Sequence, residues 1–235
     1  MKVHKKMNKK IAALISVLIF SFPVFAEKIT FSADSMTCSA KKNNSSTVLS
    51  GEAYILTESI EIMADRIELS GDDYQHIKAS GNVSGKNFDS KMEFTADSLE
   101  YDRKSKIATL RGDVKLVDTE NSVTAEAQLI EYDSGTDIAV LQIGINLTQK
   151  ENIGSGSDAV YYKKDQVLNI SGNAKIKQKD DTFRAQHITL NMETEEITLD
   201  GRVKGSVSET EKKSEAEETG ESEHTGESEE QSENE

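Results

Sequence analysis

The 235-residue chain carries 42 acidic residues against 28 lysines and arginines, for a net charge of −14, with one cysteine, one proline and no tryptophan. That balance argues against nucleic acid or an anionic membrane surface as partner, and a single cysteine excludes an internal disulfide. Scarce aromatics predict a narrow, aliphatic interior.

Lys2, Lys5, Lys6, Lys9 and Lys10 precede an apolar run over 11–22 and a small residue, Ala26. This is the pattern of a secretory signal, so residues 1–26 are expected to be cleaved after Ala26 and the mature chain exported. The run is short for a bilayer span. Loss of the five lysines takes the net charge to −19. The single proline, Pro23, leaves with the signal, which suits long hydrogen-bonded ladders in the mature chain. Cys38 reads as a small, partly buried strand residue.

From residue 29 onward the chain repeats. Glycines recur at 51, 81, 112, 144, 172 and 201, at successive spacings of 30, 31, 32, 28 and 29. About half a period before each glycine lies an Ala-Asp step or a variant of one: Ala33-Asp34, Ala64-Asp65, Ala96-Asp97, Ala125-Glu126, Ser157-Asp158 and Ala185-Gln186. A period near 30 marks a stacked repeat architecture. Each unit reads as a strand through Ala-Asp, a polar turn, a strand through Gly and another turn. Six units predict about twelve strands, a stack on the order of 50 Å long at about 4.8 Å per strand.

Within the glycine-bearing strands, apolar residues alternate with polar ones, predicting one buried face. That face comprises Leu49, Ala53 and Ile55; Ile77, Ala79 and Val83; Leu110, Val114 and Leu116; Leu168, Ile170 and Ala174; and Ile197, Leu199 and Val203. The glycines share this parity and are expected to leave room on the inner side. In the other strands the phase flips at Ala-Asp: Ile60, Ile62 and Ala64 give way to Ile67 and Leu69. A one-residue slip turns every side chain over, so a bulge is expected there, with the Asp bonding the freed amides. The fourth unit breaks the rule, because Leu141, Ile143, Ile145 and Leu147 oppose the parity of Gly144. Either that glycine points outward or the unit has its own bulge. Residues 152–158, with Gly154 and Gly156, read as the loosest linker of the domain.

The segment 209–235 holds twelve glutamates against Lys212 and Lys213 and repeats Thr-Gly-Glu-Ser-Glu. It is expected to be disordered, which leaves 27–208 as the folded domain. No catalytic or metal constellation appears: His76, His187 and His224 are far apart in sequence, and no phosphate loop or nucleophile elbow is present. The reading is not an enzyme, with no cofactor and no metal.

Ile62-Met63-Ala64-Asp65-Arg66-Ile67-Glu68-Leu69 and Phe94-Thr95-Ala96-Asp97-Ser98-Leu99-Glu100-Tyr101, supported by residues 79–83 and 110–116, resemble the OstA-like or LptA family of periplasmic lipopolysaccharide-transport proteins. The resemblance covers roughly 29–207. It implies an all-β fold, a twisted β-jelly roll built from about six two-strand repeats and open at both ends. It further implies a periplasmic module that shields acyl chains of lipopolysaccharide or a related glycolipid between inner and outer membrane. The alternating apolar residues named above would be the lipid-binding inner face. Unpaired edges near 29–36 and 197–207 imply edge-to-edge β partners, either itself or other jelly-roll proteins of the bridge. A structural repeat scaffold of the cell envelope without lipid cargo shares every repeat feature.

Overall fold

The structure, a computed structural model, describes residues 28–41 and 44–208; the expected signal segment and the acidic segment 209–235 lie outside the described residues. Fourteen strands follow one another: β1 (Thr30–Ser32), β2 (Ser35–Lys41), β3 (Asn44–Leu56), β4 (Ile60–Ser70), β5 (His76–Asn87), β6 (Met92–Asp102), β7 (Ile107–Asp118), β8 (Val123–Asp133), β9 (Ile138–Gln149), β10 (Asn152–Tyr162), β11 (Val167–Gln178), β12 (Asp181–Asn191), β13 (Ile197–Asp200) and β14 (Lys204–Ser206). Among the described residues there is no α-helix, only a 3-10 turn at Asp72–Tyr74.

All strands belong to one antiparallel sheet in which each strand from β3 to β12 pairs with its successor. β1 and β2 both pair with β3, and β13 and β14 both pair with β12. The fourteen strands therefore fill the twelve rows expected from six units, with the first and last rows each broken in two. The sheet does not close on itself, so both ends are open edges.

Every long strand has a register shift at its middle. Between β3 and β4 the pairing passes from Ser50↔Arg66 to Ala53↔Ala64, so Gly51 and Glu52 together face Asp65 alone. Between β5 and β6 it passes from Ser80↔Ser98 to Val83↔Ala96, so Gly81 and Asn82 face Asp97. Gly81 and Asn82 both have positive φ, 76° and 47°. Two successive left-handed residues bend the strand sharply, and glycine accepts that conformation without the Cβ penalty.

These bulges lie side by side along the row direction and divide the sheet into two layers. One layer holds 53–56, 60–64, 83–87, 92–96 and their successors; the other holds 46–50, 66–70, 76–80, 98–102 and theirs. A Cβ on Gly154 would lie 2.6 Å from Ile170 Cδ1 and 3.3 Å from Leu168 Cδ2. Gly154 pairs with Ile176 in the sheet, so six residues of β11 separate it from Ile170. In a flat sheet that is about 20 Å, and only folding along the bulge line brings the two together. Gly154 and Gly156 thus lie inside strand β10 rather than in a loose linker: side chains from the opposite layer take up the space they leave.

The phase flip follows from this bend. Because the chain turns a corner at each bulge, residues on both sides of it must point into the same space, which requires the parity change seen between Ala64 and Ile67. Ile55, Ile62, Ile67, Ile77 and Leu141 are fully buried. Each such side chain contributes about 1.5–3 kcal/mol relative to exposure.

Candidate functional site: the apolar interior and its rim

Of the residues expected on the inner face, Leu49, Ala53, Ile55, Ile77, Ala79, Val83, Leu110, Val114, Leu116, Leu168, Ile170 and Ala174 are buried in one continuous apolar core. Ile197 and Leu199, on the last row, are partly buried against it. Val203 departs from the expectation and is 53 % exposed. It lies in the break between β13 and β14, at the last bulge, where no further row covers it.

The Ala-Asp strands supply the other half of the lining. Ile60, Ile62, Ala64, Ile67, Leu69, Met92, Phe94, Leu99, Ile130, Tyr161 and Leu190 are buried in the same core. The phase flip was the signal for them, since it places both halves of each strand on one side. The interior is closely filled. A void lined by Ile60, Met92, Phe94, Tyr101, Leu110 and Leu116 measures only about 20 Å³, room for about one water.

The glycines do not leave space on this inner side. A Cβ on Gly81 would fall on the exposed Asp65 side chain, and one on Gly51 would fall on Asp34. The two repeated anchors therefore stack on each other on the outer surface of the bend. Nor does Asp65 serve freed backbone amides: its two oxygens accept from Asn82 Nδ2 at 3.2 and 3.0 Å, so the bulge is tied down side chain to side chain.

In the fourth unit the order is reversed. Gln142 and Ile145 flank the bulge, Ile143 and Gly144 occupy it, and both have positive φ. Ile143 is 63 % exposed, whereas Leu141, Ile145 and Leu147 are buried. The unit carries its own bulge with the glycine second, which resolves the parity break.

Opposite the bend, the layers meet at a rim of hairpin turns. There the end of β7 reaches the end of β10, three rows away. The Tyr161 hydroxyl donates to Asp118 Oδ2 at 2.8 Å, and Lys163 Nζ donates to Asp118 Oδ1 at 2.9 Å and to Glu120 Oε2 at 2.8 Å. The backbone N–H groups of Glu120 and Asn121 also donate to Asp118 Oδ1, and Lys91 Nζ donates to Glu120 Oε1 at 2.6 Å. Asp118 and Lys163 are a buried ion pair, with side chains 1 % and 5 % exposed.

Burial works to raise the Asp118 carboxyl, but hydrogen bonds from Lys163, Asn121 and Tyr161 outweigh it and hold the group below its ordinary value. Glu120 is drawn down to about 2 by Lys163 and then Lys91. Burial works to lower Lys163, and its bonds to Glu120 and Asp118 overcome that, so it stays above the usual lysine value. Tyr161 is pushed up by burial and then by Asp118. The sequence reading did not find this cluster.

Of the other singled-out residues, Cys38 is exposed on β2, and His76 places Nδ1 3.4 Å from an Asp102 oxygen at a turn. Among the described residues, no group of His, Cys, Asp and Glu is placed to hold a metal, and no helix is long and apolar enough to cross a membrane.

A family model described as LptA/(LptD N-terminal domain) LPS transport protein matches residues 30–138 and again residues 95–196. The second match begins 65 residues after the first, about two repeat periods. Among solved structures, the chain is similar to the crystal structure of LptH, the LptA homologous periplasmic component of the conserved lipopolysaccharide transport device from Pseudomonas aeruginosa. That match has a TM-score of 0.48 and 17 % identity, over 52 % of this chain and 97 % of that one. A search of curated proteins returns no match.

Proposed function

The chain belongs to the family of LptA/(LptD N-terminal domain) LPS transport proteins, and on that footing we propose that it shields acyl chains of lipopolysaccharide or a related glycolipid in its interior while the lipid crosses the periplasm. The observation that supports this reading most is the continuity of the apolar core, a single cluster that runs from Leu49 on β3 to Met192 beyond β12.

The proposed mechanism uses the two-layer construction. Each layer keeps its own ladder of backbone hydrogen bonds, so the layers can part at the rim while the ladders stay intact. An acyl chain then replaces protein–protein apolar contacts with lipid–protein ones, and little apolar area returns to water. The Asp118–Lys163 contact is a point at which the rim must yield. The split rows β1 with β2 and β13 with β14 carry unpaired edges, suited to strand addition by neighbouring jelly-roll proteins.

Photo-crosslinkers placed singly at Val83 and Val114, both buried, should capture co-purifying lipid, and the same groups at exposed Asn82 and Asp113 should not. Mass spectrometry of the conjugates identifies the lipid. Equal labelling at all four sites, or no lipid in protein purified from its native envelope, would leave the scaffold reading in its place.

A further inference from the structure

At the C-terminal end of the sheet the outer surface carries an unusual row. Lys175 pairs in register with Arg184, and Arg184 with Lys204, across β11, β12 and β14. Their buried neighbours Ala174 and Ala185 point inward, so the three cations stand together on the outside. Arg202, in the adjoining bulge, joins Arg184, His187 and Lys204 in lining a cleft of about 470 Å³ that no carboxylate lines. Like charges directly opposite each other on a sheet are destabilising.

Several of the exposed lysines elsewhere are neutralised. Lys78, Lys86, Lys91, Lys150 and Lys164 each lie against a carboxylate. Among the described residues, none of Lys175, Arg184, Arg202 and Lys204 does. A chain of net charge −14 that concentrates unpaired cations in one cleft has a site for an anion there.

The chain itself supplies one. Four residues after Lys204, the Ser208 N–H donates to Asp181 Oδ1 at 2.9 Å, which fixes the exit point at the start of β12 beside the patch. The next 27 residues, 209–235, carry twelve glutamates and two lysines. Random-coil dimensions for 27 residues are about 30 Å, and the patch lies within a few residues' length of Ser208. Tethering places the carboxylates there at roughly millimolar effective concentration.

We propose that the acidic segment 209–235 folds back onto the patch formed by Lys175, Arg184, Arg202 and Lys204 and is its resident occupant. Docked there, it lies across β14, the open edge of the last row, and competes with any anionic ligand or incoming strand for that end of the sheet. The proposal stands whether or not the interior carries lipid.

Carbodiimide coupling of carboxyls to amines in the full-length protein at low salt tests it. Tail glutamates should couple to Lys175 and Lys204 within one chain, several-fold more than to Lys78 or Lys115. The yield should fall several-fold in R184Q/R202Q, which keeps both acceptor amines, and in about 0.5 M salt. Coupling spread evenly over surface lysines, or joining labelled to unlabelled chains, overturns the proposal. Phosphatidylglycerol vesicles provide the second arm, with a full-length variant whose twelve tail glutamates are glutamine. Tighter vesicle binding by this variant than by the parent, with the gain lost when R184Q/R202Q is added, supports the tail as occupant; a gain that persists in R184Q/R202Q reflects charge alone and overturns it. Equal binding by both assigns the patch to lipid headgroups instead.

Discussion

The side chain of Asp97 fills the space that a Cβ on Gly112 would need, while the corresponding space at Gly144 is empty to 4 Å. Both glycines have positive φ, 77° and 70°. Alanine at Gly144 should therefore cost only the left-handed penalty, about 1 kcal/mol. Alanine at Gly112 should cost about 1–2 kcal/mol more, because Asp97 must also move. Urea unfolding of G112A, G144A and G112A in a D97A background measures this: D97A should bring the two glycine substitutions level. Valine at Gly112 should damage folding, since the obstruction is on the outer surface and not in the interior.

Ile143 occupies the first bulge position with φ 66° and is largely exposed. A β-branched residue is poorly suited to that region, and Asn tolerates it far better. Ile143→Asn should stabilise the chain by about 1 kcal/mol, seen as a higher midpoint in urea with an unchanged slope.

Breaking the buried pair at the rim should be costly. Lys163→Met alone leaves Asp118 buried and uncompensated, a loss of about 3–5 kcal/mol. Combining it with Asp118→Asn should restore most of that, so the double variant unfolds closer to the parent than K163M does. A strictly additive result would mean that the two charges do not act on each other.

The same cluster sets an acid limit. Asp118 and Glu120 have folded values below their unfolded ones; the Glu120 contribution is complete above about pH 4.5 and is lost as pH falls toward about 2, and that of Asp118 is likewise lost on the acid side. Lys163 is displaced upward, so its share persists below its ordinary value and disappears only as pH rises beyond it. Stability should be flat from pH 5 to 9 and fall in acid, and K163M should flatten the acid limb.

Much of the architecture was legible from residues alone, because a repeat prints its period on the sequence. The glycine spacing gave the rows, and the flip between Ala64 and Ile67 marked the bend. The outward stacking of Asp65 on Gly81 was not legible, because parity counting assumes an extended strand and fails where two residues turn left-handed. Val203 was misplaced for a related reason: alternation cannot reveal that the following row is missing. The Tyr161, Lys163 and Asp118 cluster left no periodic trace. Strand order sets the neighbours within a layer, but sheet twist decides which rows of the two layers meet at the rim.

The line of bulges has one further consequence, for measurement. Backbone amides on both sides of it remain bonded within their own layer, however far apart the rims stand. Hydrogen–deuterium exchange should therefore report a uniformly protected ladder even when the interior is wide enough for a guest. Only side-chain probes, such as methyl resonances of Ile67, Ile77 or Leu110, would register the vacancy, so a protein that looks rigid by its backbone can be changing its internal volume.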